Sequence, residues 1–133
     1  MAGQDHRTLE QLEKDVWGPP EYPSHVVTTC HALRKKPLRD FSVEDLRIMI
    51  GQGIGLAHLL PKALDILEET PLAEGDFFPG DLLDAVLRAD ASAFNKSAKA
   101  RLRRICETAQ GIEPLLAEVE RSRAPGSIAS VII

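Results

Sequence analysis

Residues 50 to 67, IGQGIGLAHLLPKALDIL, contain the strongest helical pattern in the chain. After Gly55, apolar residues recur at intervals of three and four, as Leu56, Leu59, Leu60, Ala63, Leu64 and Leu67. This spacing predicts that they share one face of an α-helix. Pro61 lies within the pattern, where it either begins a new helix or bends one, because proline has no backbone N–H to donate.

The three glycines before this helix, Gly51, Gly53 and Gly55, suggest a phosphate-binding loop at first sight. A dinucleotide-binding loop has the spacing G-x-G-x-x-G, follows a strand and places the phosphates at the N-terminus of the next helix. Here the spacing is G-x-G-x-G, a predicted helix precedes it, and the Gly-Lys-Ser/Thr of a P-loop is absent. We therefore expect a tight turn with positive φ, or a close approach of two helices.

Capping signals predict the helices that precede this turn. Thr8 and Ser42 each have a capping-box partner three residues later, and Ser24 is a candidate cap between them. We expect Val16 on the inner face of the first helix. The run at residues 26–29 is β-branched, so a strand is an alternative to the second helix.

Further helices are predicted after the Pro- and Gly-rich loop at residues 71–80. A fifth helix follows this loop, Ser92 is the candidate cap of a sixth, and a short seventh comes after Gly111. The apolar tail SIASVII, residues 127–133, either docks on the body or frays. The sum is an all-α bundle of six to seven helices joined by short Pro- and Gly-marked turns.

Length and composition predict one compact, water-soluble domain. The chain has 133 residues, of which 44% are hydrophobic, which suits a single domain over residues 1–133 with flexible termini at 1–7 and 124–133. No apolar run approaches the roughly 20 residues that span a bilayer. The N-terminus is polar and acidic, unlike a signal peptide. We expect a cytoplasmic protein that does not contact a membrane.

Catalytic and metal-binding patterns are not found in the sequence. The four histidines and two cysteines form no HExxH, His-x₃-His or CxxC motif, and the cysteines lie among apolar neighbours, as buried thiols do. We therefore expect no catalytic residue, no metal and no cofactor. If the protein were an enzyme, its chemistry would rest on Asp and Glu carboxylates in a cleft that raises their pKa.

Charge is distributed unevenly along the chain, although the net charge is only −4. Seven acids and no Lys or Arg occur between residues 64 and 87, with two phenylalanines among them, whereas residues 88–104 are mainly basic. Two solvated helix faces explain this pattern, and so does an acidic surface with aromatic anchors that docks a basic protein. The candidate binding residues of such a surface are Glu68, Glu69, Glu74, Asp76, Phe77, Phe78, Asp81 and Asp84. The net negative charge and the lack of interleaved aromatics argue against direct nucleic-acid binding.

Four segments in a fixed order resemble the immunity proteins of contact-dependent growth inhibition (CDI) systems. They are LEQLEKDVWG at residues 9–18, LRKKPL at 33–38, EDLRIMIGQGIGL at 44–56 and GDFFPGDLL at 75–83. The resemblance covers residues 8 to 90. Each motif is ordinary alone, and the specificity lies in their order and spacing.

This resemblance implies a non-enzymatic cytoplasmic inhibitor that binds the toxic C-terminal domain of a delivered effector, with 1:1 stoichiometry. Many such toxin domains are nucleases, and proteins that bind polyanionic nucleic acids tend to be basic. The alternative is a small acidic helical adaptor or regulator with another protein partner. The resemblance assigns no binding residues, so the candidate surface rests on charge and loop position.

Overall fold

The computed structural model describes residues 6–21, 24–122 and 124–132, and this part of the chain is helical and contains no strand. Its eight α-helices are α1 (Leu9–Glu13), α2 (His25–Leu33), α3 (Val43–Gly51), α4 (Leu56–Glu69), α5 (Asp81–Arg88), α6 (Lys96–Thr108), α7 (Glu113–Ser122) and α8 (Ala129–Ile132). Short 3₁₀ helices cover Leu38–Asp40 and Ala91–Ala93. The all-α prediction is confirmed, and the additional helix is α8 in the tail.

The predicted N-caps of the first three helices are confirmed. Thr8 accepts a hydrogen bond from the backbone N–H of Gln11, whose side chain accepts one from Thr8 in return. Ser42 and Asp45 form the same reciprocal pair at the start of α3, and Ser24 caps α2. These caps satisfy N–H groups that have no partner within their helices.

Two local predictions are wrong, and one alternative is excluded. The strand alternative for residues 26–29 fails because these residues lie inside α2. α1 ends before Lys14, which adopts a left-handed φ of 54°, so Val16 lies beyond the helix and is 70% exposed. Ser92 does not cap the sixth helix: it lies in the second 3₁₀ helix, and Asn95 caps α6 with its side-chain oxygen.

The glycine turn links α3 to α4 as predicted. Gly53 and Gly55 have φ values of 72° and 66°, which is the left-handed region that glycine adopts without a steric penalty. Gly55 also lies close to the body of the protein, since a Cβ there would be 2.8 Å from Leu9 Cδ1. Pro61 lies inside α4 and on its exposed side, so it does not begin a new helix.

One apolar cluster extends from α1 to the tail and includes residues of every element between α2 and α7. The most extensive helix contacts join α3 to α5 and α4 to α6. Ile128 and Ala129 are fully buried, and the Ile128 N–H donates to the carbonyl of Ala89 at 2.7 Å, so this part of the tail is docked. The flexibility of the two termini stays a prediction. Residues 1–5 and 133, which belong to these termini, and residues 22–23 of the connector lie outside the described residues.

None of the described helices is both long enough and apolar enough to cross a membrane.

Candidate binding surface

The structure places the eight predicted binding residues on three consecutive elements. Glu68 and Glu69 end α4, Asp81 and Asp84 lie on α5, and the other four lie on the connecting segment, residues 70–80, here called the Phe loop. The loop residues are Glu74, Asp76, Phe77 and Phe78.

Asp81 fixes the Phe loop through hydrogen bonds to its backbone. Its side chain is only 3% exposed, and its carboxylate accepts hydrogen bonds from the backbone N–H groups of Gly75 at 2.6 Å and Phe77 at 3.0 Å. A longer contact of 3.4 Å reaches the N–H of Phe78. The buried carboxylate therefore shapes the loop and does not face a partner.

A second carboxylate and a guanidinium support the same loop from α3. Glu44 accepts from the Nε of Arg47 at 2.7 Å and from the backbone N–H of Asp76 at 2.9 Å. The hydrogen bond from Arg47 lowers the pKa of Glu44, which keeps the carboxylate charged. The Arg47 guanidinium carbon lies 4.4 Å from the centre of the Phe77 ring, a cation–π contact.

The two phenylalanines project outward from this supported loop. Phe77 is 68% exposed and Phe78 is 42% exposed. Adjacent exposed aromatic rings on a loop that is fixed by hydrogen bonds are typical of interface anchors. Rings this exposed do not fasten the loop to the core.

The acids of α4 have a different environment. Arg101 on α6 donates to Glu68 and to Asp65, at 2.7 Å each, and the hydrogen bond from Arg101 lowers the pKa of Glu68. The acidic and basic stretches of the sequence thus partly pair with each other, while Glu69 is exposed. Glu68 faces α6 and Phe77 lies over α3, so the structure does not bring all the predicted residues into one cluster.

A groove of about 970 Å³ adjoins the Phe loop, and four of the predicted residues, Phe77, Phe78, Asp81 and Asp84, line it. The glycine turn and the segment at residues 89–93 also line this groove. The sequence patterns predict neither segment as part of a site. The glycine turn, which follows α3, is brought to the groove because α3 packs on α5, and no local sequence pattern specifies this packing.

Two signs of chemistry, a metal cluster and a carboxylate with a raised pKa, are not resolved among the described residues. No group of three or more His, Cys, Asp or Glu within them is placed to hold a metal ion. In this part of the chain, the carboxylates with a resolved pKa shift, Glu44, Glu68 and Asp90, are all shifted downward, which is opposite to the shift of a general acid. Burial raises the pKa of Cys106 to about 11, so its thiol is a poor nucleophile.

Comparison with known proteins identifies one family. A family model described as CDI immunity proteins matches residues 11–105, which is well over half of the chain. The match runs from α1 into α6 and takes in the glycine turn and the whole Phe loop. No curated protein matches the chain significantly.

Proposed function

The chain belongs to the family of CDI immunity proteins and is therefore an immunity protein, and we propose that its target is the C-terminal toxin domain of its cognate effector. It binds this domain 1:1 in the cytoplasm and blocks it without catalysis. The family match carries this proposal. We further propose that the toxin domain is a nuclease, because a basic nuclease would complement the acidic residues around the Phe loop.

The proposed contact surface is the Phe loop with the neighbouring acids. Phe77 and Phe78 would provide the apolar contacts at its centre, since interfaces draw most of their binding energy from a few aromatic or Arg residues. The exposed carboxylates of Glu69, Glu74 and Asp76 would steer a basic partner and accelerate association. Asp84 and Glu68 lie at the edges of this surface, already paired with cations of this chain. Asp81 acts as a support.

The hydrogen bonds that Asp81 and Glu44 accept from the backbone of the Phe loop support this choice of surface. A loop that is already ordered loses little conformational entropy when it binds, so more of its contact energy appears as affinity. The bonds from Asp81 and Glu44 give the loop that order before any partner arrives. Blocking of an active site by a preformed surface needs no bond-making step.

Calorimetric titration of the full chain with the toxin domain encoded beside its gene tests the proposal. The double variant Phe77→Ser/Phe78→Ser should bind at least ~100-fold more weakly, because truncation of central aromatic anchors commonly costs 2 kcal/mol or more. The matched control is Val131→Ser, which alters a 50% exposed apolar residue at the tail and should leave the affinity unchanged.

The outcomes of this titration separate the function from the surface. Wild-type affinity in the double phenylalanine variant would contradict the proposed surface and leave the immunity role intact. No binding by the unaltered chain would contradict the proposed function and favour the acidic adaptor with another partner. Substitution of Glu74 and Asp76 by lysine should lower the association rate more than it raises the dissociation rate.

A further inference from the structure

Two segments that line the groove beside the Phe loop are both fixed. The first is the loop that carries Phe77 and Phe78, which Asp81 and Arg47 hold. The second is the segment after α5, which is tied to the docked tail: the N–H of Ala91 donates to the carbonyl of Gly126 at 2.8 Å, and the carbonyl of Ala89 accepts from the N–H of Ile128 at 2.7 Å. The groove is therefore preformed, which suits a protruding segment of a partner.

The floor of this groove is apolar. Ile50, Ala85 and Ala89 are buried beneath it, and the half-buried Leu56 lines it from the start of α4. With the phenylalanine rings at the rim, this floor provides apolar contact for at least one side chain of an occupant.

The charges around the groove are complementary to a single cation. Both arginines of the lining are already paired, Arg47 with Glu44 and Arg88 with Asp84 at 3.0 Å. Asp90 is exposed at the rim, and within the described part of the chain its carboxylate accepts hydrogen bonds from Ser92 alone, at the start of the 3₁₀ helix. The backbone hydrogen bond from Ser92 lowers the pKa of Asp90, so this carboxylate is ionised at neutral pH.

The C-terminus of α3 adds to this negative potential. α3 ends at Gly51, which lines the groove together with Gln52 and Gly53. The carbonyls of residues 48–50 accept hydrogen bonds from the glycine turn, and the aligned peptide dipoles of the helix still place a partial negative charge at this end, which favours a nearby cation. The rim acid and the helix end therefore both favour a positively charged side chain in the same groove.

We infer that this groove receives one protruding segment of the toxin domain, in which a lysine or arginine side chain lies next to an apolar side chain. This inference rests on the proposed function and specifies the chemistry of the partner. The cation would lie between Asp90 and the end of α3, and the apolar side chain would contact the floor near Ala85 and the ring of Phe78.

The first test uses two arginine substitutions at exposed serines. Ser92→Arg places a cation and a bulky chain at the groove while keeping the backbone N–H that Asp90 accepts from. Ser97→Arg makes the same change on α6, away from the groove. In titrations of the full chain with the toxin domain encoded beside its gene, Ser92→Arg should weaken binding at least ~10-fold and Ser97→Arg less than ~2-fold.

The second test identifies the cation. Asp90→Asn removes the charge and keeps an oxygen that can cap the 3₁₀ helix. Each exposed lysine and arginine of the toxin domain is replaced by alanine and titrated against wild type and Asp90→Asn. One toxin cation should show a coupling with Asp90 of at least ~3-fold in affinity, whereas the losses at the others should multiply independently.

Four results would overturn the inference. Wild-type affinity in Ser92→Arg, or no toxin cation coupled to Asp90, would exclude the groove while the immunity role stands. A self-dimer of the chain that Ser92→Arg disrupts in sedimentation would assign the groove to a second copy. Failure of the unaltered chain to bind the toxin domain would remove the proposed function, and this inference with it.

Discussion

Replacement of Asp81 by alanine would remove the acceptor that two well-placed backbone N–H groups of the Phe loop share, those of Gly75 at 2.6 Å and Phe77 at 3.0 Å. It would also remove the anion that lies 3.9 Å from Arg47 Nε. Asp81 is the first residue of α5, where a negative charge interacts favourably with the helix dipole. The substitution therefore acts on the loop and on the helix start together.

The expected loss of stability follows from these contacts. A hydrogen bond to a charged group contributes about 1.5–3 kcal/mol, but Phe77 is exposed and water can replace part of its bond, so the two donors together account for about 2 kcal/mol. Loss of the dipole interaction adds about 0.5 kcal/mol. We expect the free energy of unfolding of Asp81→Ala to fall by about 2–4 kcal/mol, within the range for a broken buried network.

Urea unfolding at pH 7 measures this loss. The matched control is Asp84→Ala, about one turn later on the same helix, which breaks the half-exposed pair with Arg88 and a dipole interaction like that of Asp81, and should cost about 0.5–1 kcal/mol. A loss below about 1 kcal/mol for Asp81→Ala, or losses of equal size for the two variants, would refute the supporting role of the buried carboxylate.

Three further predictions concern single contacts. Gly55 has a φ of 66°, and a Cβ added there would lie 2.8 Å from a buried leucine, so Gly55→Ala should lower the free energy of unfolding by about 1–3 kcal/mol. Gly51→Ala, where a Cβ would meet nothing within 4 Å, should be neutral or stabilising, and equal effects of the two variants in urea unfolding would contradict this. Because Arg47 lowers the pKa of Glu44, the pair stabilises the protein above the pKa of a free glutamate, about 4.3, and this stabilisation is lost as the pH falls through the lower folded pKa. The difference in unfolding free energy between wild type and Glu44→Gln should therefore shrink from pH 7 to below pH 4, and a constant difference would exclude the linkage. With a pKa of about 11, the half-buried thiol of Cys106 should react with iodoacetamide at pH 8 about 100-fold more slowly in the folded chain than in urea, as followed by peptide mass spectrometry; comparable rates would contradict the raised pKa.

Local sequence patterns were sufficient for the helices and their turns. The capping boxes at Thr8 and Ser42 and the glycine turn depend on residues within a few positions of one another, so they can be inferred without tertiary information. The apolar stripe of α4 also predicts this helix correctly although Pro61 lies within it. The proline ring is on the exposed side, and the buried face holds the helix in place.

The candidate surface depended on contacts that sequence patterns do not encode. The charge pattern predicts Asp81 to be a surface acid, but the side chain is buried and bonded to the loop. A short carboxylate beside a Gly-rich loop often accepts backbone N–H bonds, and this was the one available signal. The pairing of Arg101 with Glu68 joins positions 33 residues apart, and Asp90 reaches the groove through the packing of α3 on α5.

Protection of living cells is the property that most directly tests the immunity role. The toxin domain encoded beside this gene is induced in cells with and without the chain, at matched protein levels, and surviving colonies are counted. We expect the chain to restore survival to that of uninduced cells, and Phe77→Ser/Phe78→Ser to restore much less of it. Equal killing with and without the unaltered, folded chain would contradict the assignment of this protein as the inhibitor of that toxin.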